Sequence, residues 1–285
     1  MKKINTLFMS LCFILFFSTA VAAAGTVLDE VEPNNSPEQA QMMEKNNPNP
    51  SGVAKGDYTG QFVAAGKISD KSDEDWYKIL LSENDNILLT VYSAQLNDTG
   101  IFDIYDENMN IIRSIKHHQD VMVFGESAYK VAIPKTGIYY IKVTSPLRSG
   151  EYRFSIGGPN YKLGDYTYKA KNPCTLTPNK KSVQVTYDLS NVSSIPDEAI
   201  VRYISISGRK ENRATSEYRS IKLESDRNWT PTAMYNYYAD IPVISNKILK
   251  NRWMFKLDGN VSKYTEYYSL TPEITFKYIY PVLPK

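Results

Sequence analysis

The sequence predicts an all-β protein with two β-sandwich domains, the first of which is jelly-roll-like. Three observations lead to this fold class. Apolar residues alternate with polar residues in many short segments, turn-forming residues separate these segments, and the chain contains 22 Tyr, a residue that suits half-buried pleated surfaces. Period-two alternation is the pattern of half-buried strands, and short strands with frequent turns are typical of a sandwich.

Residues 1–24 have the features of a secretory signal peptide. Lys2 and Lys3 supply a positive start, residues 7–17 are almost wholly apolar, and residues 20–24 offer two small-x-small cleavage sites. The alternative is an uncleaved membrane anchor, but the apolar run is shorter than the ~20 residues that a membrane span needs. Cleavage near residues 22–24 predicts a secreted, extracellular chain without a membrane span, in which Cys174 is the one remaining cysteine.

The first predicted domain covers residues 25–157. It opens with a polar stretch, residues 25–57, which we expect to be extended apart from a helical turn around residues 38–43. Beyond residue 60, alternating apolar residues predict strands at Tyr77, Ile79 and Leu81, at Tyr139, Ile141 and Val143, and at Tyr152, Phe154 and Ile156. Turn-forming residues separate the strands at 83–86, 98–100, 106–108, 135–137 and 148–150.

The second predicted domain covers residues 158–285. Gly157 and Gly158 supply flexibility and Pro159 stops a strand, so we expect a linker between the domains here. The alternating residues of this domain are Val183, Val185 and Tyr187, then Ile204 and Ile206, and finally Ile274, Phe276, Tyr278 and Tyr280. Weakly patterned stretches lie at 208–216 and 225–239, and we expect Trp229 and Trp253 in the core.

The charge of the chain changes sign between the two predicted domains. Residues 25–157 contain 12 basic and 19 acidic residues, whereas residues 158–285 contain 19 basic and 12 acidic residues. The resulting net charges of −7 and +7 indicate two domains with different surfaces.

Several short motifs follow one another in the first predicted domain. They are EVEPNNS at 30–36, GKI at 66–68, DEDWY at 73–77, IYDEN at 104–108, GIYYIKV at 137–143 and GEYRF at 150–154. In this order they resemble the bacterial pre-peptidase C-terminal domain family, over about residues 28–157. The collagen-binding domains of clostridial collagenases belong to the same structural group. The resemblance implies a jelly-roll-like sandwich that binds Ca²⁺ near the start of the domain.

The matching positions carry the carboxylate and amide oxygens that calcium prefers. The resemblance assigns calcium ligands to Glu30, Glu32, Asn34, Asn35, Ser69, Asp73 and Asp75. Asp70 is an alternative to Asp73. Glu30 and Glu32 lie two residues apart, so an extended chain turns both to one side. A solvated acidic loop is the other interpretation, because runs of charge usually face water.

The sequence offers little for catalysis. HExxH, GxSxG and CxxC motifs are absent from it. Its two histidines, His117 and His118, are adjacent, and neighbours on a strand face opposite sides, so the pair cannot easily share one metal or one substrate. We expect them in a surface hairpin. The sequence therefore predicts a protein that is not an enzyme, and the alternative is an unrecognised active site in the second domain.

The basic second domain suggests a binding surface, because a positive surface attracts polyanions. The candidate ligand-binding residues are Tyr140 in the first domain and Lys180, Lys181, Arg209, Lys210, Lys250 and Arg252 in the second. Extracellular partners of this kind are a cell-wall polyanion, a polysaccharide or a matrix protein. Tyrosines at 235–238 and 264–268 are candidates for an exposed platform, and a place in the core is their alternative. The basic domain could instead dock on the acidic one, or simply be solvated.

These observations predict a secreted, non-catalytic binding or adhesion protein whose first domain is stabilised by calcium. An accessory protein or inhibitor of a secreted peptidase is a further alternative, because the resembling domain often accompanies peptidases. In that family the domain normally follows a catalytic domain, whereas here it comes first.

Overall fold

The computed structural model describes residues 25–83, 85–92, 99–118, 125–146 and 149–284. Almost all of its regular structure is β-strand, which confirms the predicted fold class. The predicted signal peptide lies outside the described residues. Within the described ranges, no helix has the length and the apolar character that crossing a membrane requires.

The strands of the first half, in chain order, are β1 (Thr26–Asp29), β2 (Gln41–Met42), β3 (Phe62–Ile68), β4 (Asp75–Leu81), β5 (Ile87–Val91), β6 (Thr99–Tyr105), β7 (Ile111–His118), β8 (Ser127–Val131), β9 (Gly137–Thr144) and β10 (Gly150–Gly157). Those of the second half are β11 (Tyr161–Lys169), β12 (Cys174–Leu176), β13 (Ser182–Asp188), β14 (Ile200–Glu211), β15 (Thr215–Leu223), β16 (Thr230–Pro231), β17 (Tyr238–Asp240), β18 (Arg252–Asn260) and β19 (Tyr268–Pro281). The helical segments are α1 (Ser51–Lys55) and the 3-10 turns Pro37–Gln39 and Val243–Ser245.

The first ten strands form one sandwich of two sheets. Sheet I has the order β1-β3-β10-β5-β8, and sheet II has the order β2-β4-β9-β6-β7. Among these strands, only β6 and β7 follow each other within one sheet, so the chain crosses between sheets at nearly every connection, as in a jelly roll. The predicted alternating sets on β4, β9 and β10 all point into the core, where Tyr77, Phe154 and Ile141 are fully buried.

The remaining strands form a second sandwich. Sheet III has the order β11-β19-β14-β17, with β12 also paired to β19, and sheet IV has the order β13-β18-β15-β16. Trp253 packs on Phe276 in the core with 5.1 Å between ring centroids, as expected. Trp229 differs from the expectation. It lies half-buried in the turn after β15, and the Nζ atoms of Lys222 and Lys256 lie 5.4 and 5.2 Å from its ring centroid.

A buried asparagine joins the two sandwiches. Asn46 is fully buried, and its Nδ2 donates to Oδ1 of Asn160 at 2.7 Å while its Oδ1 accepts the backbone N–H of Phe62 at 2.6 Å. Oδ1 of Asn160 also accepts from Oγ of Ser155 at 3.0 Å. The backbone carbonyl of Asn46 accepts the N–H of Gly158 at 2.8 Å. Residues on both sides of the junction are therefore fixed by one side chain and its backbone.

Gly157 and Gly158 have a different role from the flexible linker that the sequence predicted. Gly157 has a φ of +128°, and a Cβ there would lie 2.6 Å from the backbone nitrogen of Asn46. A Cβ on Gly158 would lie 2.6 Å from two backbone atoms of Pro48. The glycines are required because residues 46–48 pass directly against this backbone.

The helix α1 adds an apolar contact to the junction. Val53 packs with Val243 and Ile279 of the second sandwich, and Arg202 donates through Nη1 to the carbonyl of Ala54 at 3.4 Å. This helix was not among the elements predicted from the sequence. Val53 is its only buried residue, so α1 has no apolar periodicity from which it could be recognised. The predicted turn at residues 38–43 is instead the 3-10 turn Pro37–Gln39.

Candidate metal centre

Three carboxylates converge where the chain enters the first sandwich. Glu30 and Glu32 follow β1, and Asp75 is the first residue of β4. One carboxylate oxygen from each lies within 4.8 Å of the other two. Calcium binds oxygens at 2.3–2.6 Å, so two ligand atoms on one ion are at most about 5 Å apart. The spacing of the three carboxylates fits a single shared cation.

Asn34 and Asp75 are the buried members of this group, and both are 0% exposed. In the part of the chain that the structure describes, Oδ1 of Asn34 and both carboxylate oxygens of Asp75 have no hydrogen-bond partner. A buried polar atom without a partner costs roughly 1–3 kcal/mol. Three such oxygens at one place are therefore a strong indication of a ligand, since buried polar atoms are otherwise almost always paired.

Local hydrogen bonds hold Asn34 in this position. Its backbone N–H donates to Oε2 of Glu32 at 2.9 Å, and its Nδ2 donates to Oε1 of Glu30 at 3.3 Å. Its backbone carbonyl accepts the N–H of Trp76 at 2.9 Å, which ties the segment to β4. The amide nitrogen of Asn34 is thus occupied by Glu30, and its amide oxygen is left for a cation.

The electrostatics of the group also favour a bound positive charge. The pKa of Asp75 is raised to about 8, first because burial removes water from the carboxylate and then because Glu30 lies beside it. The neighbouring Tyr152 hydroxyl opposes this rise without cancelling it. Ionised Asp75 is therefore costly near neutral pH unless a cation compensates it.

Two tyrosines and a glycine that were not predicted as site residues surround the centre. The hydroxyls of Tyr77 and Tyr152 lie 2.7 Å apart, and burial raises the pKa of both, so both stay protonated. Gly66 pairs with Tyr152 across sheet I. A Cβ on Gly66 would lie 2.3 Å from the Tyr152 oxygen and 3.0 Å from Oε2 of Glu30. Gly66 therefore keeps open the space beside the carboxylates. Its place in the GKI motif was the one feature of the sequence that could have linked it to the centre.

Most of the other predicted calcium ligands lie in the neighbouring turn, and Asn35 contacts that turn from the entry segment. Oδ2 of Asp73 accepts the backbone N–H of Ser69 at 2.6 Å, and Oδ1 of Asp70 accepts both the backbone N–H and the hydroxyl of Ser72. With its amide oriented toward the surrounding acceptors, Asn35 donates to Oδ1 of Asp73 at 3.0 Å. The structure brings together Glu30, Glu32, Asn34 and Asp75. It leaves Ser69, Asp70 and Asp73 in the adjacent turn, and Asn35 stays in the entry segment with its amide directed at that turn.

The two histidines occupy opposite faces of β7, as adjacent strand residues do. His118 is exposed, whereas His117 is buried, which differs from the expected surface hairpin. Nδ1 of His117 lies 2.9 Å from the hydroxyl of Tyr129, and the two rings meet edge to face. His117 therefore packs inside the first sandwich.

The candidate basic residues of the second sandwich fall into two groups at opposite ends. Lys250 and Arg252 lie near the junction and form ion pairs with Asp197 and Glu224. Trp253, the residue after Arg252, is buried in the core and adds no aromatic surface beside them. The other group, Lys180, Lys181, Arg209 and Lys210, lies where β14 ends and β13 begins.

The candidate tyrosines also separate into exposed and buried positions. Tyr235 and Tyr264 are 81% and 99% exposed, whereas Tyr268 is buried and Tyr237 lies under the guanidinium of Arg219 at 3.7 Å. Tyr140 is half-buried on the outer face of sheet II, opposite the buried Tyr139.

Neither a protein-family model nor a curated protein matches the chain. Among solved structures, a protein of Eubacterium rectale described as secreted aligns with 91% of this chain and 88% of its own, at 12% identity and a TM-score of 0.57. The pre-peptidase C-terminal domain of a collagenase from Bacillus anthracis aligns with 43% of this chain and 99% of its own, at 18% identity and a TM-score of 0.30. Identities this low show a likeness of fold alone.

Proposed function

We propose that this chain is an exported, non-catalytic binding protein whose first sandwich is stabilised by calcium. The observation that carries the calcium proposal is the pair of fully buried side chains, Asp75 and Asn34, whose oxygens have no protein partner among the described residues. The proposed ligands are Glu30, Glu32, Asn34 and Asp75. The first two are more exposed and lie on the side from which an ion would enter.

The chemistry of the donors favours calcium over softer metals. All proposed side-chain ligands are carboxylate or amide oxygens, which calcium and magnesium prefer and which zinc and copper sites rarely use alone. The group contains neither histidine nor cysteine. Calcium accepts irregular arrangements of six to eight oxygens, whereas magnesium requires a near-ideal octahedron. A mixed set drawn from a turn and a strand end suits the larger ion.

A bound cation would stabilise the fold by linking separate parts of the chain. Glu30, Glu32 and Asn34 belong to the segment after β1, and Asp75 begins β4 of the opposite sheet. One ion held by all four would connect sheets I and II at their edge. At a calcium concentration about 100 times the dissociation constant, this linkage contributes about 2.7 kcal/mol.

Export and a binding role rest on other observations. The first 24 residues have the pattern of a signal peptide, and the fold resembles that of a protein described as secreted. The binding role is supported by exposed cations and tyrosines on the second sandwich. The proposed partner is an extracellular polymer, with a cell-wall polyanion, a polysaccharide and a matrix protein as the classes to test.

The test compares residues 25–285 in EDTA and in excess calcium by differential scanning calorimetry, with isothermal titration to measure binding. Calcium is expected to raise the melting temperature of the wild type by about 5–10 °C. Asp75→Asn should abolish the shift. In EDTA this variant should melt no lower than the wild type, because it removes a carboxylate crowded by Glu30.

The matched control is Glu151→Gln, an exposed carboxylate on β10 next to Tyr152. It should keep the full calcium shift. A wild type that binds no calcium in the titration, or an Asp75→Asn variant that binds as tightly as the control, would refute the calcium proposal.

A further inference from the structure

Several turns of the second sandwich lie close together at the end farthest from the junction. Four connections meet there: residues 170–173 between β11 and β12, residues 177–181 between β12 and β13, residues 212–214 between β14 and β15, and residues 261–267 between β18 and β19. We call this end the distal surface. Ser269 of β19 lies ten residues before Ile279, which contacts the junction, so about 33 Å of strand separates the two ends.

Gly259 holds three of these turns together. Its N–H donates to the carbonyl of Lys181 at 3.0 Å. A Cβ on Gly259 would lie 3.4 Å from Cβ of Ala214 and 3.1 Å from Cδ1 of Leu176. The turns that carry Lys180, Lys181 and Arg213 are therefore neighbours in the folded chain, although 32 residues of sequence separate Lys181 from Arg213.

Charge on the distal surface is strongly unbalanced. Three of its acidic side chains are matched by ion pairs, namely Lys210 with Glu217, Lys169 with Glu273 and Arg209 with Glu211. Five exposed cations lie on these turns without a carboxylate within salt-bridge distance in the described structure: Lys171, Lys180, Lys181, Arg213 and Lys263. The single carboxylate there that is likewise outside any such pair is Glu266.

The junction end of the same sandwich has the opposite character. Lys247, Lys250 and Arg252 form ion pairs with Asp226, Asp197 and Glu224. Lys247, Lys250 and Arg252 near the junction are thus compensated by carboxylates, although the exposed Arg227 beside them is not, whereas five cations of the distal surface are uncompensated. This contrast distinguishes the distal surface from a generally basic protein surface.

We propose that the distal surface binds a linear phosphate polymer through Lys171, Lys180, Lys181, Arg213 and Lys263. Lysine supplies a compact positive charge that suits phosphate, and four of the five cations are lysines. Binding would be driven mainly by release of counterions from the polymer, so it weakens steeply with salt. Tyr264, 99% exposed beside Lys263, offers a flat ring on which a base or sugar of the polymer can lie.

This inference rests on the proposed binding function, and it names the ligand class and the surface. The test measures fluorescence anisotropy of two labelled probes of matched charge, inorganic polyphosphate and an oligothymidylate, with residues 25–285. Wild-type binding is expected to be measurable at about 50 mM salt and to fall steeply by about 200 mM. The triple variant Lys180→Ala/Lys181→Ala/Arg213→Ala should bind at least about tenfold more weakly, with a log–log salt slope smaller by about 2.

The matched control is Arg227→Ala/Lys250→Ala/Arg252→Ala, which removes the same charge from the other end of the sandwich. It should retain wild-type affinity. Equal weakening by both triple variants would mean attraction by overall charge and would overturn the proposal, as would a wild type that binds neither probe. Calcium titration of the same proteins separates the two hypotheses, because the distal variants leave the metal centre untouched.

The two probes distinguish the source of the phosphates. Similar affinities mean that the backbone charge alone is recognised, as for a wall polymer of the phosphodiester type. Tighter binding of the oligothymidylate that is lost in Tyr264→Ala means that a nucleic acid is the ligand, because stacking requires a base. Either result supports a phosphate-polymer site. The first assigns the site to a wall polymer and the second to a nucleic acid.

Discussion

The junction between the sandwiches makes a quantitative prediction for Asn46→Ala. The substitution removes the acceptor of the Phe62 N–H and the donor to Asn160. An ordinary hydrogen bond contributes about 0.5–1.5 kcal/mol, and leaving a buried N–H unpaired costs roughly 1–3 kcal/mol. Oδ1 of Asn160 keeps its bond from Ser155, which limits the loss on that side. We therefore expect a destabilisation of about 2–4 kcal/mol.

The assay is urea unfolding of residues 25–285, followed by tryptophan fluorescence. Trp76 lies in the first sandwich, and Trp229 and Trp253 lie in the second, so the summed emission reports on both. Because Asn46 contacts both sandwiches, the whole transition should move to lower urea. The control is Asn191→Ala, an exposed asparagine in a turn, which should change stability by less than about 0.5 kcal/mol. An Asn46→Ala variant as stable as this control would refute the reasoning.

Two further predictions concern single positions. Gly158→Ala should destabilise the chain by more than about 1 kcal/mol in thermal melts, because its Cβ would meet backbone atoms at 2.6 Å. Gly125→Ala, with no atom of the described residues within 4 Å of its Cβ, should be nearly neutral. Burial by itself would raise the pKa of Glu217, but hydrogen bonds from Lys210 and Arg219 outweigh it and the pKa is lowered. A lowered pKa gives stability that is present above the unfolded pKa and lost as pH falls through the folded pKa. Glu217→Gln, which leaves Arg219 buried without its carboxylate, should therefore cost more than about 2 kcal/mol at pH 7 and clearly less near pH 3, and a penalty independent of pH would contradict this.

The strands were predictable because their signal is local. On β4 Tyr77, Ile79 and Leu81 are buried, at every second position. A strand that buries one face needs apolar residues at this spacing, so the pattern is visible in the sequence. The prediction that Trp229 lies in the core is wrong. Trp229 lies in a turn, where no alternating pattern shows which way a side chain points.

The candidate metal centre was partly predictable. Glu30, Glu32 and Asn34 lie within five residues, and the motif that contains them indicated their shared role. The sequence assigned both Asp73 and Asp75 to the centre, with Asp70 as an alternative to Asp73. The structure separates Asp73 from Asp75. Asp75 is the first residue of β4 and is fully buried, whereas Asp73 remains in the preceding turn.

The junction was not predictable, because its partners are far apart in sequence. Asn46 and Asn160 are separated by 114 residues, and each is an ordinary polar residue in a Pro- and Asn-rich or glycine-rich context. Composition there indicates exposed loops. Only the folded arrangement shows that the two amides satisfy each other in a buried place.

The two adjacent glycines at the junction limit how chimeric proteins can be built from this chain. A Gly-Gly-Pro sequence looks like a flexible spacer, and an engineer would choose it as the point at which to exchange one domain for another. In this chain the exchangeable unit is larger, because residues 46–48 of the first half occupy the space beside that dipeptide. A chimera that replaces either sandwich must keep residues 46–48 and 157–160 together, and a longer spacer inserted at Gly158 would separate residues 46–48 from the backbone against which they pack.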